Sequence, residues 1–145
     1  MSKKLTKKGF TIVELLIVIV VMGILATIVI VTYQGVQDKA NTTKNQSNAK
    51  EVIAKAEAYN SLETGYPLTV SELTGYDDSS VKLSAEVVEV LQNGAISDDP
   101  TGDSRKNIHY SLCPAGATAD PTGIRVQYWD YDKKELKDIT SGDCS

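Results

Sequence analysis

The chain has 145 residues, of which 41% are hydrophobic and 23% charged, a length that allows one small globular domain and requires no second. Its 15 Lys and Arg against 19 Asp and Glu give a formal net charge of −4. This acidic balance argues against general binding to nucleic acid, because such binding depends on cationic side chains that neutralise phosphates. DNA stays open as a partner but is not indicated.

A short basic stretch, residues 1–9, precedes an apolar run from Phe10 to Val31. At about 1.5 Å per residue, a helix over this run would span roughly 33 Å, which matches the hydrocarbon thickness of a bilayer. By the positive-inside rule the basic stretch stays in the cytoplasm and everything after Val31 is exported. The basic residues are Lys3, Lys4, Lys7 and Lys8. Removing these four lowers the basic count from 15 to 11, against 19 acidic residues, so the remaining chain carries −8.

The only ionisable side chain within the apolar run is Glu14. A carboxylate at mid-membrane costs roughly 2.5–3.5 kcal/mol on insertion scales, less near the interface, so it is rarely retained without a partner. A cut between Gly9 and Phe10 would supply one, because the new Phe10 amine lies one helical turn from Glu14. The carboxylate could pair with this amine in the same molecule or in a neighbouring helix, where it would fix the register of an assembly.

The string Lys8-Gly9-Phe10-Thr11-Ile12-Val13-Glu14-Leu15-Leu16, between the basic stretch and the apolar run, resembles the class III signal of type IV pilins and of type II secretion pseudopilins. The resemblance implies that a prepilin peptidase cleaves after Gly9, that the Phe10 amine is methylated, and that Glu14 acts in subunit assembly. An ordinary secretory signal would have a shorter apolar core of about 7–15 residues and a small-residue cleavage site. A plain membrane anchor would need neither Glu14 nor Gly9.

One long helix is predicted, with residues 10–31 as its transmembrane and assembly half and residues 32–63 as its amphipathic half. Within the second half, apolar residues recur at spacings of three and four and form a stripe that would pack on a sheet. The polar stretch Asn41–Asn48 before this stripe is interpreted as helix. Because Gly65 suits a left-handed cap and Pro67 cannot continue the helix, we expect the helix to end near Thr64-Gly65. The stripe comprises Ala49, Val52, Ile53, Ala56, Tyr59 and Leu62.

Residues 64–103 are predicted to connect the helix to a sheet. A short turn of helix is expected around 70–73, and Ser84–Gln92 fits either a short helix or a strand, with helix favoured by the Asn93-Gly94 stop after it. The loop 97–103 is acidic and rich in turn residues. Its spacing lacks the helix-loop-helix calcium signature, so a solvated loop is favoured over a calcium site and no metal site is assigned. The candidate oxygen ligands would be Asp98, Asp99, Asp103 and Asp120.

Residues 104–145 are predicted to form an antiparallel β-meander. Three segments alternate between apolar and polar residues, namely 108–113, 124–131 and 136–139. Laid on the amphipathic half of the helix, these strands would bury one apolar face. The predicted fold class is therefore α+β, with a long N-terminal helix packed on a small C-terminal antiparallel sheet. This is the arrangement that the resemblance to pilins also implies.

The two cysteines, Cys113 and Cys144, predict a disulfide, because an even pair in an exported chain is typically bonded. On the chain-entropy estimate such a bond would stabilise the fold by about 3–4 kcal/mol. The lone His109 lies in a strand pattern, with no serine or cysteine at recognisable motif spacing and no phosphate-binding glycine loop in the chain. We therefore expect neither an enzyme nor a cofactor.

Aromatic residues cluster late in the chain. Strand alternation would place Tyr128 on one face and Trp129 with Tyr131 on the other, so one set could belong to the core while the other is exposed. Exposed aromatics could serve as adhesive contacts or stacking platforms, but packing between strands is the favoured interpretation.

The resemblance implies a structural subunit of a type IV pilus for adhesion, twitching motility or DNA uptake. The alternatives are a pseudopilin of a secretion or competence system and, less favoured, a membrane receptor that never polymerises. The implied partners are further copies in a helical filament, the prepilin peptidase, the assembly machinery with its minor pilins, and the cytoplasmic membrane before assembly. The implied location is that membrane for the precursor, and an extracellular pilus or periplasmic pseudopilus afterwards.

Overall fold

The computed structural model of the chain describes residues 9–97 and 100–144. The basic residues predicted to orient the membrane segment, Lys3, Lys4, Lys7 and Lys8, lie outside this range, as do Asp98 and Asp99 of the acidic loop. The chain divides into two compact units, residues 1–37 and residues 38–145. A single helix, α1, begins at Ile12, ends at Glu63 and so contributes to both units.

In the first unit, α1 is exposed along its whole length, since every residue from Gly9 to Gln37 is exposed. Among the described residues, α1 is the one helix long and apolar enough to cross a membrane, and none of its apolar window is buried. A helix that is apolar on all sides is stable only in apolar surroundings. This part of α1 therefore requires lipid or other apolar helices around it.

In the second unit, α1 packs on a sheet through most of the predicted stripe. Ala49, Val52 and Ala56 are fully buried, and Ile53 is nearly so. Leu62, predicted as the last member, is instead 54% exposed. Each step of three residues turns a helix by about 300°, so the two steps from Ala56 to Leu62 move the side chain about 120° off the buried face.

Helix α1 ends at Glu63, and Thr64 rather than Gly65 takes the left-handed conformation, with φ of 60°. The Thr64 N–H still donates to Asn60 O at 3.1 Å, which closes the last turn. A side chain in this region of φ and ψ costs roughly 1–2 kcal/mol. Two short helices follow, α2 at Val70–Thr74, as expected, and α3 at Ala85–Val90.

The sheet has four strands in the order β1-β2-β3-β4, with β1 at Leu91–Asn93, β2 at Ile108–Cys113, β3 at Gly123–Asp130 and β4 at Glu135–Gly142. The pairs β2–β3 and β3–β4 are antiparallel, as predicted. Strand β1 runs parallel to β2 and pairs Leu91 with Ile108. The sheet is thus mixed and not wholly antiparallel, and the prediction missed β1, which lies within the segment interpreted as a connection.

The core lies between α1 and the inner face of this sheet. Ile108, Tyr110, Ile124 and Val126 from the two central strands are buried there, and Leu73 of α2 closes one side. The Tyr110 hydroxyl donates to Pro67 O, which ties the chain after α1 to β2. A disulfide joins Cys113, at the end of β2, to Cys144 after β4.

Candidate functional site

The start of α1 carries the predicted processing and assembly residues. Thr11 precedes the first helical residue, Ile12, and Glu14 lies in the first turn. The Glu14 Oε2 atom accepts hydrogen bonds from the Thr11 backbone N–H and the Thr11 hydroxyl, both at 2.8 Å. In return, the Glu14 N–H donates to Thr11 Oγ1 at 3.2 Å. This reciprocal arrangement is a capping box, which satisfies backbone donors that a helix start leaves without partners.

The Glu14 carboxylate therefore has partners within its own helix before any cut in the chain. Sequence reasoning assigned Glu14 only to an amine freed by cleavage and missed Thr11. The signal for Thr11 was present, because Thr followed three residues later by Glu, just ahead of an apolar run, is the sequence pattern of a capping box. Both bonds reach the same oxygen, Oε2, and none of the described residues donates to Oε1. One oxygen can thus hold the cap while the other meets a second donor.

The Gly9–Phe10 peptide bond lies outside the helix, in chain without regular secondary structure. Phe10 is 83% exposed, and a side chain added at Gly9 would meet nothing within 4 Å among the described residues. The capping box fixes the start of the helix after both residues, so the bond is accessible and extended chain can present it to an enzyme.

The other candidate residues belong to the second unit. Asp103 is paired with Lys106 at 2.7 Å, and the hydrogen bond from this lysine lowers the pKa of the Asp103 carboxyl. Across the part of the chain described, no group of three His, Cys, Asp or Glu side chains could hold a metal ion. His109 is half-buried in β2.

Neither set of late aromatics is exposed, which agrees with the favoured interpretation of packing and not with the alternative of exposed contacts. Tyr128 and Trp129 are both buried although they face opposite sides of β3, and Tyr131 is half-buried. The Arg105 guanidinium covers Trp129, with its carbon 5.0 Å from the ring centroid, a cation–π contact. Arg105 belongs to a 3₁₀ turn at Gly102–Lys106, so this cover comes from a distant part of the sequence.

Comparison with known proteins relates this helix start to a family. Residues 4–30 match the family described as the prokaryotic N-terminal methylation motif. Over 115 residues, which cover 70% of this chain and 72% of the relative, the sequence is 30% identical to the type IV major alpha-pilin of Moraxella bovis. The chain belongs to the type IV pilin and pseudopilin family. Pilins and pseudopilins are structural subunits, and membership implies processing by a prepilin peptidase and polymerisation into a filament.

This member of the pilin and pseudopilin family also matches relatives over shorter regions. It is 34% identical over 67 residues to the type II secretion system core protein G of Klebsiella michiganensis, a match that covers 46% of the chain and 47% of that protein. It is 37% identical over 82 residues to the fimbrial protein of Neisseria meningitidis serogroup B, a match that covers 56% of this chain and 44% of that protein. These two matches thus span about half the length of the relatives, and no solved structure matches. The apolar helix and the motif fit a membrane-bound precursor of either kind of filament.

Proposed function

We propose that this chain is a structural subunit of a type IV pilus. It is made as a precursor in the cytoplasmic membrane, cut between Gly9 and Phe10, methylated on the Phe10 amine, and polymerised through the apolar part of α1 into a surface filament. The observation that carries the choice of a pilus is the length of the match to the alpha-pilin. The match covers 70% of this chain, which is more than residues 1–63 up to the end of α1, so the similarity continues beyond the helix.

The helix start supports the assembly step by its geometry. After cleavage, Phe10 would carry a cationic amine directly before Thr11, and Glu14 Oε2 already accepts both Thr11 donors. The second carboxylate oxygen can then accept the amine of a neighbouring subunit without breaking the cap. Only one stagger between packed apolar helices leaves no such charge unpaired, so this contact would set the rise of the filament.

A pseudopilin of a secretion system is the second candidate. The 34% identity to the type II secretion system core protein G supports it, although that match extends over 67 residues only. Both candidates share the cut, the methylation and the polymerisation, and they differ in whether the filament reaches the cell surface. The acidic surface gives no support to a filament built to bind DNA.

The test combines the mass of the N-terminal peptide with electron microscopy of cells that produce the chain together with a prepilin peptidase and a pilus assembly machinery. We expect the wild-type peptide to begin at a methylated Phe10, with surface filaments present. Gly9→Leu should leave the uncut precursor and no filaments, because a side chain at the cleaved position obstructs the peptidase. The matched control is Gly23→Leu, at a glycine that also has open space around it but lies within α1, and it should be cut normally.

A wild-type chain that keeps residues 1–9 would overturn the whole proposal. A chain that is cut and methylated but never forms surface filaments would instead identify the pseudopilin. Normal cleavage of Gly9→Leu would show that the peptidase acts at another bond.

A further inference from the structure

A small pocket lies in the second unit, where α1, the end of α3, the 3₁₀ turn and the residue after β3 meet. Its volume of about 120 Å³ is room for roughly four water molecules at ~30 Å³ each. Sites that enclose a drug-sized molecule measure roughly 300–1,000 Å³, so this pocket admits only one compact group. The described residues that line it are Asn41, Lys44, Asn45, Val90, Lys106 and Tyr131.

The charged side chains among these lining residues are both cationic. Lys44 Nζ lies 2.9 Å from Glu86 Oε1, and Lys106 Nζ lies 2.7 Å from Asp103 Oδ1. The four side chains of these ion pairs are between 58% and 94% exposed, so both pairs are weak. An ammonium group carries three N–H donors. Each lysine can therefore also donate to an anion in the pocket.

The Tyr131 phenol supplies a neutral donor beside these cations. Burial raises the pKa of this phenol above its usual value of 10.0, and the positive charges of Lys106 and Arg105 oppose the rise. The more weakly acting carboxylates of Asp103 and Asp38 add to it. The hydroxyl therefore keeps its proton at neutral pH and can donate to the same anion as Lys106.

The Asn45 side chain adds an acceptor to the pocket. This residue is only 4% exposed, and its Nδ2 donates to Arg105 O at 2.9 Å and to Trp129 O at 3.0 Å. Because both partners are carbonyl oxygens, the amide nitrogen must face them, and Oδ1 is the atom left for a ligand. None of the described residues donates to Oδ1. A group bound beside Asn45 should therefore carry a proton that it can donate.

We propose that this pocket binds a phosphate group that keeps one proton, either free phosphate or the end of a larger molecule. Lys44, Lys106 and Tyr131 donate to its oxygens from three segments of the chain, and its P–OH group donates to Asn45 Oδ1. Lysine binds phosphate as a point charge. The planar fork that pairs best with a carboxylate belongs to arginine, and no arginine is among the described lining residues.

The test is an NMR titration of the full chain in nonionic, phosphate-free detergent micelles, followed at the side-chain amide of Asn45 and the backbone amide of Lys106. At about pH 6.5 phosphate keeps a proton, whereas sulfate and acetate have none to donate. Inorganic phosphate should shift both resonances with a Kd on the order of 1 mM or below. Sulfate and acetate at equal ionic strength should bind at least ~10-fold more weakly, because Asn45 Oδ1 stays unpaired.

Titration with glycerol phosphate distinguishes the two sources of the group. Tighter binding than that of inorganic phosphate identifies a phosphate at the end of a larger molecule, and weaker binding identifies the free ion.

Single substitutions locate the binding. Lys106→Gln and Tyr131→Phe each remove one donor and should weaken phosphate binding at least ~5-fold. Asp103→Asn should act in the opposite direction and strengthen binding about 2-fold or more, because it releases Lys106 from its ion pair. The matched control is Lys137→Gln, at a lysine that pairs with Glu135 at 2.8 Å but lies outside the pocket, and it should bind phosphate as the wild type does.

Wild-type amide resonances elsewhere in each variant show that it is folded. The proposal is overturned if phosphate shifts neither resonance, if sulfate binds as tightly as phosphate, or if Lys106→Gln and Lys137→Gln bind phosphate alike.

Discussion

The Glu14 carboxylate lies at the start of a helix, where backbone N–H groups otherwise lack partners. Thr11 gives this carboxylate two donors, and the Thr11 hydroxyl oxygen accepts a bond from the Glu14 backbone N–H, so an acid in an apolar segment is stabilised without any ion pair. The energy of such a cap is about 1 kcal/mol. This is smaller than the cost of a carboxylate at mid-membrane, so the cap alone does not explain a carboxylate in this position.

Variants of these two residues separate the cap from the charge. Glu14→Gln keeps an oxygen that can accept from Thr11 but loses the charge, and Glu14→Ala loses both. If the carboxylate pairs with the amine of a neighbouring subunit, both variants should enter the membrane and be cut, yet form no filaments, whereas Thr11→Ala should still assemble. The yield of filaments sheared from the cells, compared with the amount of cleaved subunit, measures assembly. Wild-type yield from Glu14→Gln would mean that Glu14 acts only as a cap.

Single residues differ in the kind of sequence signal that selects them. Gly9, Phe10 and Glu14 belong to one contiguous string, so pattern alone selects them. Thr11 belongs to the same string and needed only the capping-box spacing. The burial of Trp129 depends on Arg105, which is distant in the sequence, and strand alternation contains no information about such a contact.

Among the elements, the polar stretch of α1 between residues 41 and 48 has a structural role that its composition conceals. Asn45 is 4% exposed, and its Nδ2 donates to Arg105 O at 2.9 Å and to Trp129 O at 3.0 Å. Thr42 Oγ1 accepts from the Tyr131 N–H at 2.8 Å and donates to Asp130 Oδ1. These side chains attach the helix to the 3₁₀ turn and to the end of β3. Hydrogen bonds of polar side chains thus stabilise this end of the domain, and packing of apolar side chains stabilises its centre.

Replacing Asn45 should be costly, because two carbonyl groups would lose their donor at a buried site. We expect Asn45→Ala to lower the free energy of unfolding by about 2 kcal/mol. The matched control is Asn48→Ala on the same helix, whose Nδ2 is buried without a partner among the described residues, and it should cost less than about 1 kcal/mol. Urea unfolding, followed by the fluorescence of the single tryptophan, Trp129, measures the free energy of unfolding of both variants. An equal loss from both variants would contradict the assigned role of Asn45.

Element boundaries were predicted best where periodicity is long. The helix, the two antiparallel pairs and α2 follow from patterns that extend over several residues. Strand β1 has only three residues and follows α3 without a break, so Val90 of α3 and Leu91 of β1 look like one helical run. Leu91 is extended because it pairs with Ile108, a contact between residues distant in the sequence.

For the molecule as a whole, acid should weaken the fold in two steps. Burial lowers the pKa of His109 below its usual 6.5, and a hydrogen bond with the Gly94 backbone offsets this in part. Its Nδ1 is buried without a described partner, so a proton there would have no acceptor. The neighbours across the sheet, Gln92 and Gln127, carry no charge, and Asp138 lies beyond Gln127 on β4. The neutral ring is therefore the form that the folded state favours.

The direction of the pH dependence of stability follows from proton binding. The unfolded chain takes up the His109 proton at higher pH than the folded one, so this stability is full above about pH 6.5 and is lost as the pH falls towards the folded pKa. At lower pH the carboxyls of Asp78 and Asp103, whose pKa values are lowered by hydrogen bonds with Ser80 and Lys106, add a second loss. The urea midpoint of unfolding should decrease as the pH is lowered from 7.5 to 5.5. His109→Gln should reduce this decrease and leave the second loss, at lower pH, unchanged. A midpoint that is independent of pH in the wild type would exclude the role of His109.

The fold class could be predicted because an apolar helix, an amphipathic continuation and late alternating strands have few ways to pack. The extent of pairing at the β1 edge of the sheet could not, because β1 pairs only with Ile108, His109 and Tyr110 and stops short of the end of β2. Such an absence of pairing depends on how far a three-residue strand extends, and no local pattern encodes it.

The disulfide from Cys113 to Cys144 encloses β3 and β4 in a covalent ring with a sequence separation of 31. A mechanical load applied between α1 and residue 144 passes from β2 to the tail through sulfur atoms and bypasses both strands. The chain between the two cysteines, about 100 Å of contour length, therefore cannot be extended by this load. Under tension the ladder between β3 and β4 bears little force, and the β-ribbon stays folded while the rest of the polymer is pulled.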